Sequence, residues 1–179
     1  MIEINIDEPN AKAELAKDLV KQADNIVVVC IGTENVTSDS LGPRVGSLLN
    51  ENLATPLFVY GMQGANIDAK NLKTALDVIK RLHPDAPLLV VDAAVGEQWQ
   101  VGKVQLTKGD IAPGAATNKQ LDRVGDISIV GIVGNKNMID FYDNSVEKNI
   151  LVENLSQFIA TVIVMATKCS RGENASISN

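Results

Sequence analysis

The feature that most constrains the fold is an unbroken apolar run at residues 26–31, which stops at Gly32. A Val- and Ile-rich run of this length, bounded by glycine, is typical of a β-strand buried on both faces. Residues 33–40 are mostly polar and lead into apolar residues at helical spacing from Leu41 onward. Open α/β sheets bind their ligands in the loop that follows such a strand. The sequence therefore predicts half of a site directly after the first central strand, with Asp39 in it.

The remaining pattern alternates between strands and helices. Apolar runs predict the core strands, and apolar residues three and four positions apart predict the helices. The predicted strands are residues 25–31, 57–60, 87–92 and 127–133, and the predicted helices are residues 11–23, 41–53, 69–82 and 145–168. This order calls for right-handed crossovers and a parallel sheet. The predicted fold class is thus a three-layer α/β domain, with a mixed but mainly parallel sheet and helices on both faces.

Two further segments complete the pattern. Residues 101–106 alternate between apolar and polar side chains, as an antiparallel or edge strand does. Residues 1–10 are short and mixed in character, and we expect them to form a fraying arm. Residues 1–169 are predicted to form a single domain, followed by a Ser- and Asn-rich tail at residues 170–179 that is expected to be disordered.

Composition limits the classes of partner. The net charge is −6 and no long basic cluster occurs, which argues against nucleic acid and anionic membranes as partners. We find no signal peptide and no membrane span, so the two cysteines are expected to be free thiols in a reducing compartment. The expected location is therefore the cytoplasm. A homo-oligomer is compatible with the sequence.

Two aspartates are the strongest candidates for chemistry. Asp39 and Asp92 each follow a predicted core strand, and the carboxyl ends of parallel strands meet at one edge of the sheet. Two neighbouring carboxylates can divide acid and base roles, or they can bind a divalent cation. The alternative is structural: Asp39 or Ser40 would cap the next helix, and Asp92 would accept hydrogen bonds in a turn. Lys119, in a Gly- and Pro-containing loop, is either a cation that serves this site or a solvated lysine.

Other residue types offer weaker candidates. His83 is the single histidine and ends a predicted helix, where we expect it to face solvent. Cys30 lies inside the apolar run and is expected to be a buried, inert thiol. Trp99 is expected to pack against the protein rather than to stack on a substrate. No Cys/His cluster has zinc spacing, and neither a P-loop nor a dinucleotide-binding glycine motif is present.

Three segments resemble those of the bacterial spore germination protease. Residues 31–43, Ile-Gly-Thr-Glu-Asn-Val-Thr-Ser-Asp-Ser-Leu-Gly-Pro, are similar to its Gly-x-x-Asn-x-x-Thr-x-Asp-x-Leu-Gly-Pro motif. Residues 90–94 resemble its Ile-Asp-Ala strand end, and residues 113–119 resemble its His-Pro-Gly-Ser-Gly-x-x-Asn-Lys loop. The compact length is closer to a smaller branch, the YyaC-type sporulation proteins. The resemblance covers about residues 25–165.

This resemblance implies the fold shared by germination proteases and hydrogenase-maturation endopeptidases. It makes the residues that match the protease's proposed catalytic pair, Asp39 and Asp92, the catalytic candidates, with Lys119 as the accompanying cation. The motif residues expected to contact a substrate are Gly32, Asn35, Pro113, Gly114 and Asn118. In the hydrogenase-maturation group, acidic residues at matching positions bind a metal together with a histidine, but Ala112 stands where that histidine would be.

The sequence thus supports a peptidase-like hydrolase that uses an aspartate pair on a peptide or protein substrate. No cofactor is expected, although a divalent cation held by Asp39 and Asp92 is an alternative. A second alternative is a non-catalytic binding or regulatory module on the same fold, which the alanine at position 112 favours.

Overall fold

The computed structural model describes residues 1–21, 25–51, 57–113, 123–136 and 138–170. These residues form one six-stranded mixed sheet with helices on both faces, as the sequence predicts. The strands are β1 (Ile2–Asn5), β2 (Val27–Cys30), β3 (Phe58–Tyr60), β4 (Leu88–Gly96), β5 (Lys103–Lys108) and β6 (Ile127–Asn135). The helices are α1 (Ala11–Val20), α2 (Leu41–Glu51), α3 (Leu72–Leu82), α4 (Met138–Phe141) and α5 (Val146–Ser170).

The strand order in the sheet is β1-β5-β6-β4-β2-β3. Strands β3, β2, β4 and β6 pair in parallel, and β5 runs antiparallel between β6 and β1. The antiparallel strand predicted at residues 101–106 is therefore present, but it is an inner strand and not an edge strand. The parallel strands place their carboxyl ends at one edge, which we call the carboxyl edge.

The spacing of apolar residues along the helices and strands explains why the helices pack in layers on the two faces of the sheet. Helices α1, α2 and α5 bury their apolar side chains on one face of the sheet. Helix α3 covers the other face with Leu72, Leu76 and Ile79, which recur at the predicted spacing. Strand β2 lies between β4 and the edge strand β3 and is buried at every residue, as an apolar run between two helical layers requires.

Three local predictions are wrong. The predicted arm at residues 1–10 contains β1, which pairs with β5 through four residues, so the sheet holds the N-terminal segment in place. Strand β4 does not end at Asp92 but continues to Gly96. Neither Asp39 nor Ser40 caps a helix, because a 3-10 turn at Ser38–Ser40 runs directly into α2.

Helix α5 is long and apolar, with a mean hydropathy of 1.6 over its most apolar stretch. Its length and composition alone would suffice to cross a membrane, but 56% of that stretch is buried within the protein. The buried side chains pack on the sheet beside α1 and α2. This packing is typical of a core helix. Of the predicted tail, only Ser170 lies within the described residues, where it ends α5.

Candidate active site

Asp39 lies in the middle of the 3-10 turn at Ser38–Ser40, at the carboxyl edge of the sheet. The turn packs against β4, α2 and α5, so it is enclosed from three directions. Its two serines are buried, whereas Asp39 is partly exposed. Asp39 is thus the only acidic residue of this turn and the only one of its three residues that is accessible to solvent.

Asp92 is a buried acid within β4, with 4% of its surface exposed. One of its carboxylate oxygens accepts a hydrogen bond from the backbone N–H of Ala93, at 2.8 Å. Asp92 follows Val91, which is paired with Cys30 at the end of β2. Although β4 continues further, Asp92 is therefore level with the carboxyl end of its neighbouring strand.

Backbone contacts join the two aspartates through residues 31–33. The Ile31 N–H donates to the carbonyl of Val91 at 2.8 Å, directly before Asp92. The Thr33 N–H donates to the carbonyl of Asp39 at 3.1 Å. Between them, Gly32 lies so close to Asp39 that a Cβ atom on it would meet the Asp39 carbonyl oxygen at 2.0 Å. The fold therefore brings the backbones of Asp39 and Asp92 next to the same short segment.

Glycines make this close approach possible. A Cβ atom on Gly42 would lie 2.1 Å from the carbonyl oxygen of Ile31, and one on Gly46 would lie 2.0 Å from that of Gly61. Gly42 and Gly46 are four residues apart and so share one face of α2. This face rests directly on the backbone that follows β2 and β3. We call these contacts of α2 the glycine seam, and they set the depth at which the Asp39 turn sits.

The loop that carries the remaining predicted residues leaves from the opposite edge of the sheet. Ile111 and Val124 form an antiparallel bridge at its base, and both contribute to the apolar cluster on the α3 face. Gly125 lies against Val90, since a Cβ atom on Gly125 would meet the Val90 side chain at 2.6 Å. The base of the loop is thus folded onto the sheet rather than extended into solvent.

Within this loop, Pro113 is buried and Ala112 is partly buried. Gly114, Asn118 and Lys119 lie outside the described residues. Their roles, and the proximity of Lys119 to the aspartates, stay predictions. Among the other predicted substrate-contact residues, Gly32 is part of the site and Asn35 is exposed on the polar loop nearby.

The histidine lies away from the aspartates. His83 follows α3 and precedes β4, so it occupies the edge where β4 begins. His83 is partly exposed rather than fully solvent-facing: its ring packs at a tilted angle against Phe58 with centroids 4.4 Å apart, and Nε2 shares a 2.8 Å hydrogen bond with the Tyr60 hydroxyl.

The prediction for Cys30 agrees with the structure, whereas the prediction for Trp99 does not. Cys30 is fully buried, and burial raises the pKa of its thiol, so the predicted inert cysteine is confirmed. Trp99 is 65% exposed, with the Lys103 ammonium 4.4 Å from its ring centroid, so the predicted packing role is wrong.

Two buried polar atoms near the site have no hydrogen-bond partner among the described residues: Ser38 Oγ and Asn66 Oδ1. Ser38 precedes Asp39, and Asn66 precedes Ile67, whose carbonyl accepts the Gly32 N–H at 2.8 Å. Unpaired buried polar atoms are uncommon and often mark a bound water or a functional region. Their position beside Asp39 and Gly32 supports this part of the carboxyl edge as the site.

The buried Lys148, which is not part of any motif in the sequence, contacts β6 near the carboxyl end of the strand. The β4–β6 register shifts where Ala94 pairs with Ile132 and Val95 with Gly134, which leaves Val133 as the extra residue of a bulge. The Lys148 ammonium donates to the Val133 carbonyl at 2.7 Å.

Lys148 also forms an ion pair with Asp140 at 3.2 Å. Asp140 in turn accepts the Asn135 N–H at 2.7 Å. The sequence carries a signal for this arrangement, because Lys148 is in step with the buried Val152 and Leu155 on the apolar face of α5.

The metal alternative rests on the two aspartates alone in the part of the chain described. No group of three or more His, Cys, Asp or Glu side chains among these residues is arranged to hold a metal ion. Ala112 contributes no ligand atom from its side chain, as the sequence shows. Asp39 and Asp92 are the residues that would hold a cation if one binds.

Comparison with solved structures defines the class of fold. The protein is similar to the [NiFe] hydrogenase maturation protease HycI from Thermococcus kodakarensis KOD1, with a TM-score of 0.50 and 18% sequence identity. The match covers 82% of this chain and 97% of that one. The fold is therefore that of a maturation-protease-like α/β protein.

Sequence comparison gives the family. Residues 3–166 match the family described as "Protein of unknown function (DUF1256)", and the chain belongs to this family. It is 37% identical over 147 residues to the "Uncharacterized protein YyaC" of Bacillus subtilis (strain 168), across 82% of this chain and 72% of the relative. The resemblance to YyaC-type proteins is thus confirmed.

Proposed function

We propose that this protein is a peptidase-like hydrolase in which Asp39 and Asp92 act as a pair on an attacking water molecule. The observation that supports the proposal is the placement of both aspartates beside residues 31–33, which contact the Asp39 carbonyl at one end and the residue before Asp92 at the other. The maturation-protease-like fold supports the same conclusion. The substrate would be a peptide or a protein.

Different burial gives the two carboxyl groups different roles. Asp39 is partly exposed and has access to water, so we assign water activation to it. Asp92 is buried on β4, and we assign the delivery of a proton to the leaving amine to it. The Gly114 backbone and Lys119 are the proposed groups that stabilise the oxyanion, which requires their loop to reach the carboxyl edge across the α3 face of the sheet.

Cleavage assays with conservative variants test this proposal. The substrates are labelled casein and a mixed peptide library read by mass spectrometry. Asp39→Asn and Asp92→Asn should each lower the cleavage rate at least about a hundredfold, because general acid–base catalysis contributes on that order. Asp77→Asn, an exposed aspartate on α3, is the matched control and should retain the wild-type rate. Equal rates for wild type and both site variants would refute the proposal.

A chelation series tests the divalent-cation alternative on the same substrates. The proposed aspartate-pair mechanism predicts that the rate survives treatment with EDTA. Loss of activity on chelation, restored by a single added cation such as Mg²⁺ or Ca²⁺, would instead assign Asp39 and Asp92 as ligands. Asp39→Asn would then also lower the affinity for that cation.

Ala112 favours a second candidate, a non-catalytic binding module on the same fold. This partly buried residue supplies no titratable side chain next to Pro113. If that candidate is correct, wild type, Asp39→Asn and Asp92→Asn all cleave at background rates. The peptide library would then bind to wild type without being cut, and Asp39→Asn would change the affinity.

We further propose that the protein is of the spore germination protease type and acts in the cytoplasm. The motif at residues 31–43 supports the first point, and the two free cysteines support the second. Fractionation of the source cells, followed by immunodetection through growth and sporulation, tests both.

A further inference from the structure

The hydroxyl of Ser40 closes the turn that carries Asp39. It donates a hydrogen bond to the carbonyl of Thr37 at 2.7 Å, and the Ser40 N–H bonds the same carbonyl at 3.2 Å. Ser40 is 2% exposed, so water does not compete freely for these bonds. The conformation of the three residues around Asp39 therefore depends on where the Ser40 hydroxyl is held.

Arg44 holds that hydroxyl from the next turn of α2. Its Nε donates to Ser40 Oγ at 3.0 Å. Its two terminal nitrogens reach across to α5, one to Glu153 at 3.0 Å and the other to Asn149 at 2.6 Å. All three nitrogens of one planar guanidinium are thus engaged, two of them by residues four apart on α5.

We propose that Arg44 is a positioning residue, which fixes the Asp39 turn by holding Ser40 against the α5 scaffold. The inference rests on the proposed function for the significance of Asp39, but the geometric relay can be tested without catalysis. Lysine cannot replace the arginine in full, because an ammonium lacks the flat fork that reaches three fixed partners at once.

Two backbone amides report directly on the turn. The Thr33 N–H donates to the Asp39 carbonyl, and the Ser40 N–H donates to the Thr37 carbonyl. Their hydrogen exchange in the full chain, followed by NMR and corrected for intrinsic rates, measures how often the turn opens. Arg44→Met should accelerate exchange at both amides about tenfold, in line with the loss of one hydrogen bond to the turn. Ser40→Ala removes two hydrogen bonds and should accelerate exchange at least as much.

Three comparisons make the measurement specific. The double variant should exchange no faster than Ser40→Ala alone, because Arg44 acts on the turn only through the Ser40 hydroxyl. Arg44→Lys should fall between wild type and Arg44→Met. Lys103→Gln breaks an ion pair of similar exposure with Glu3 on the other side of the sheet, and it should leave both turn amides unchanged.

The proposal is overturned if the Thr33 and Ser40 amides exchange at wild-type rates in Arg44→Met, whatever the result for Ser40→Ala. It is also overturned if exchange rises equally at the core amides of Val28 and Val90, since that outcome shows only global destabilisation. If Arg44→Met fails to fold, Arg44→Lys decides the matter, because it keeps the positive charge beside Glu153 and loses the fixed fork that reaches Ser40. Wild-type exchange at both turn amides in Arg44→Lys would then overturn the proposal.

A kinetic measurement separates this inference from the proposed function. Where cleavage is observed, Arg44→Met should lower kcat about tenfold or more and leave KM within about twofold, since a misplaced acid or base affects the chemical step. If Asp39→Asn cleaves like wild type, the proposed function fails. The exchange result still decides whether Arg44 positions the turn.

Discussion

A substitution at Gly131 tests how helix α2 is seated on the sheet. A Cβ atom added to Gly131 on β6 would lie 2.5 Å from Cδ1 of Leu41, the residue that follows the Asp39 turn. Leu41 is fully buried and cannot escape into solvent. Overpacking of this kind costs about 1–3 kcal/mol, whereas replacing glycine by alanine returns only about 0.4–1 kcal/mol through the unfolded chain. The cost of overpacking therefore exceeds the gain from the unfolded chain, and Gly131→Ala should destabilise the protein by about 1–2 kcal/mol.

Shortening Leu41 should relieve this cost. Leu41→Val alone removes one buried methylene and should destabilise the protein by about 1 kcal/mol. In the Gly131→Ala background the same change makes room for the new methyl group. The double variant should thus be more stable than the sum of the two single effects, by a coupling energy of about 1 kcal/mol.

Urea unfolding measures the coupling, with a constant m-value as the check for an unchanged native state. A matching shift of about 2–4 °C in Tm per kcal/mol is expected for a chain of this size. Leu15→Val is the control for truncation, because Leu15 is equally buried on α1, and its effect should add to that of Gly131→Ala. Strict additivity of Gly131→Ala and Leu41→Val would refute the packing argument.

Three further outcomes follow from groups outside the aspartate pair. Asp140→Asn leaves the buried Lys148 ammonium without its counter-charge and should cost about 3 kcal/mol in urea unfolding. Hydrogen bonds from Ser145 lower the pKa of Asp143 below its ordinary value of 3.8, so the associated stability is present above about pH 4 and lost as pH falls through the lowered pKa; Ser145→Ala should raise that pKa, as measured by NMR titration. Iodoacetamide at pH 8 should modify one thiol per folded chain and a second only in denaturant, because Cys30 is buried.

The parts of the fold that follow from local patterns could be predicted from the sequence. Strand β2 is an apolar run, and α3 repeats apolar residues at helical spacing, so each carries its own burial pattern. Strand β1 could not be predicted in this way. It has four residues, and its extended form depends on pairing with β5, which lies far along the chain.

The candidate site shows a similar division. Asp39 and Asp92 were predicted as partners because parallel strands align their carboxyl ends. The sequence predicts that β4 ends at Asp92, because a charged residue is rarely buried inside a strand. The strand instead continues through Asp92 to Gly96. The sequence predicts a helix cap at Asp39 or Ser40. Several neighbouring polar residues share the preference for a helix start, so the pattern alone does not select the residue at which the helix begins. The hydrogen bond from Arg44 to Ser40 is local, but those to Asn149 and Glu153 are tertiary contacts, which no local pattern specifies.

The glycine seam and two further glycines that touch a backbone oxygen, Gly32 and Gly61, have a consequence for the interpretation of sequence variation in this family. At Gly32, Gly42, Gly46 and Gly61, even one added carbon would meet a backbone oxygen at about 2 Å. In a saturation mutagenesis screen scored by activity, substitutions at these four glycines would therefore lower activity as much as substitutions at the aspartates. Glycine nevertheless carries no reactive group. Activity scores alone would enlarge the apparent catalytic centre by four residues. Abundance scores from the same library would separate them, because a glycine variant lowers the amount of folded protein while Asp39→Asn preserves it.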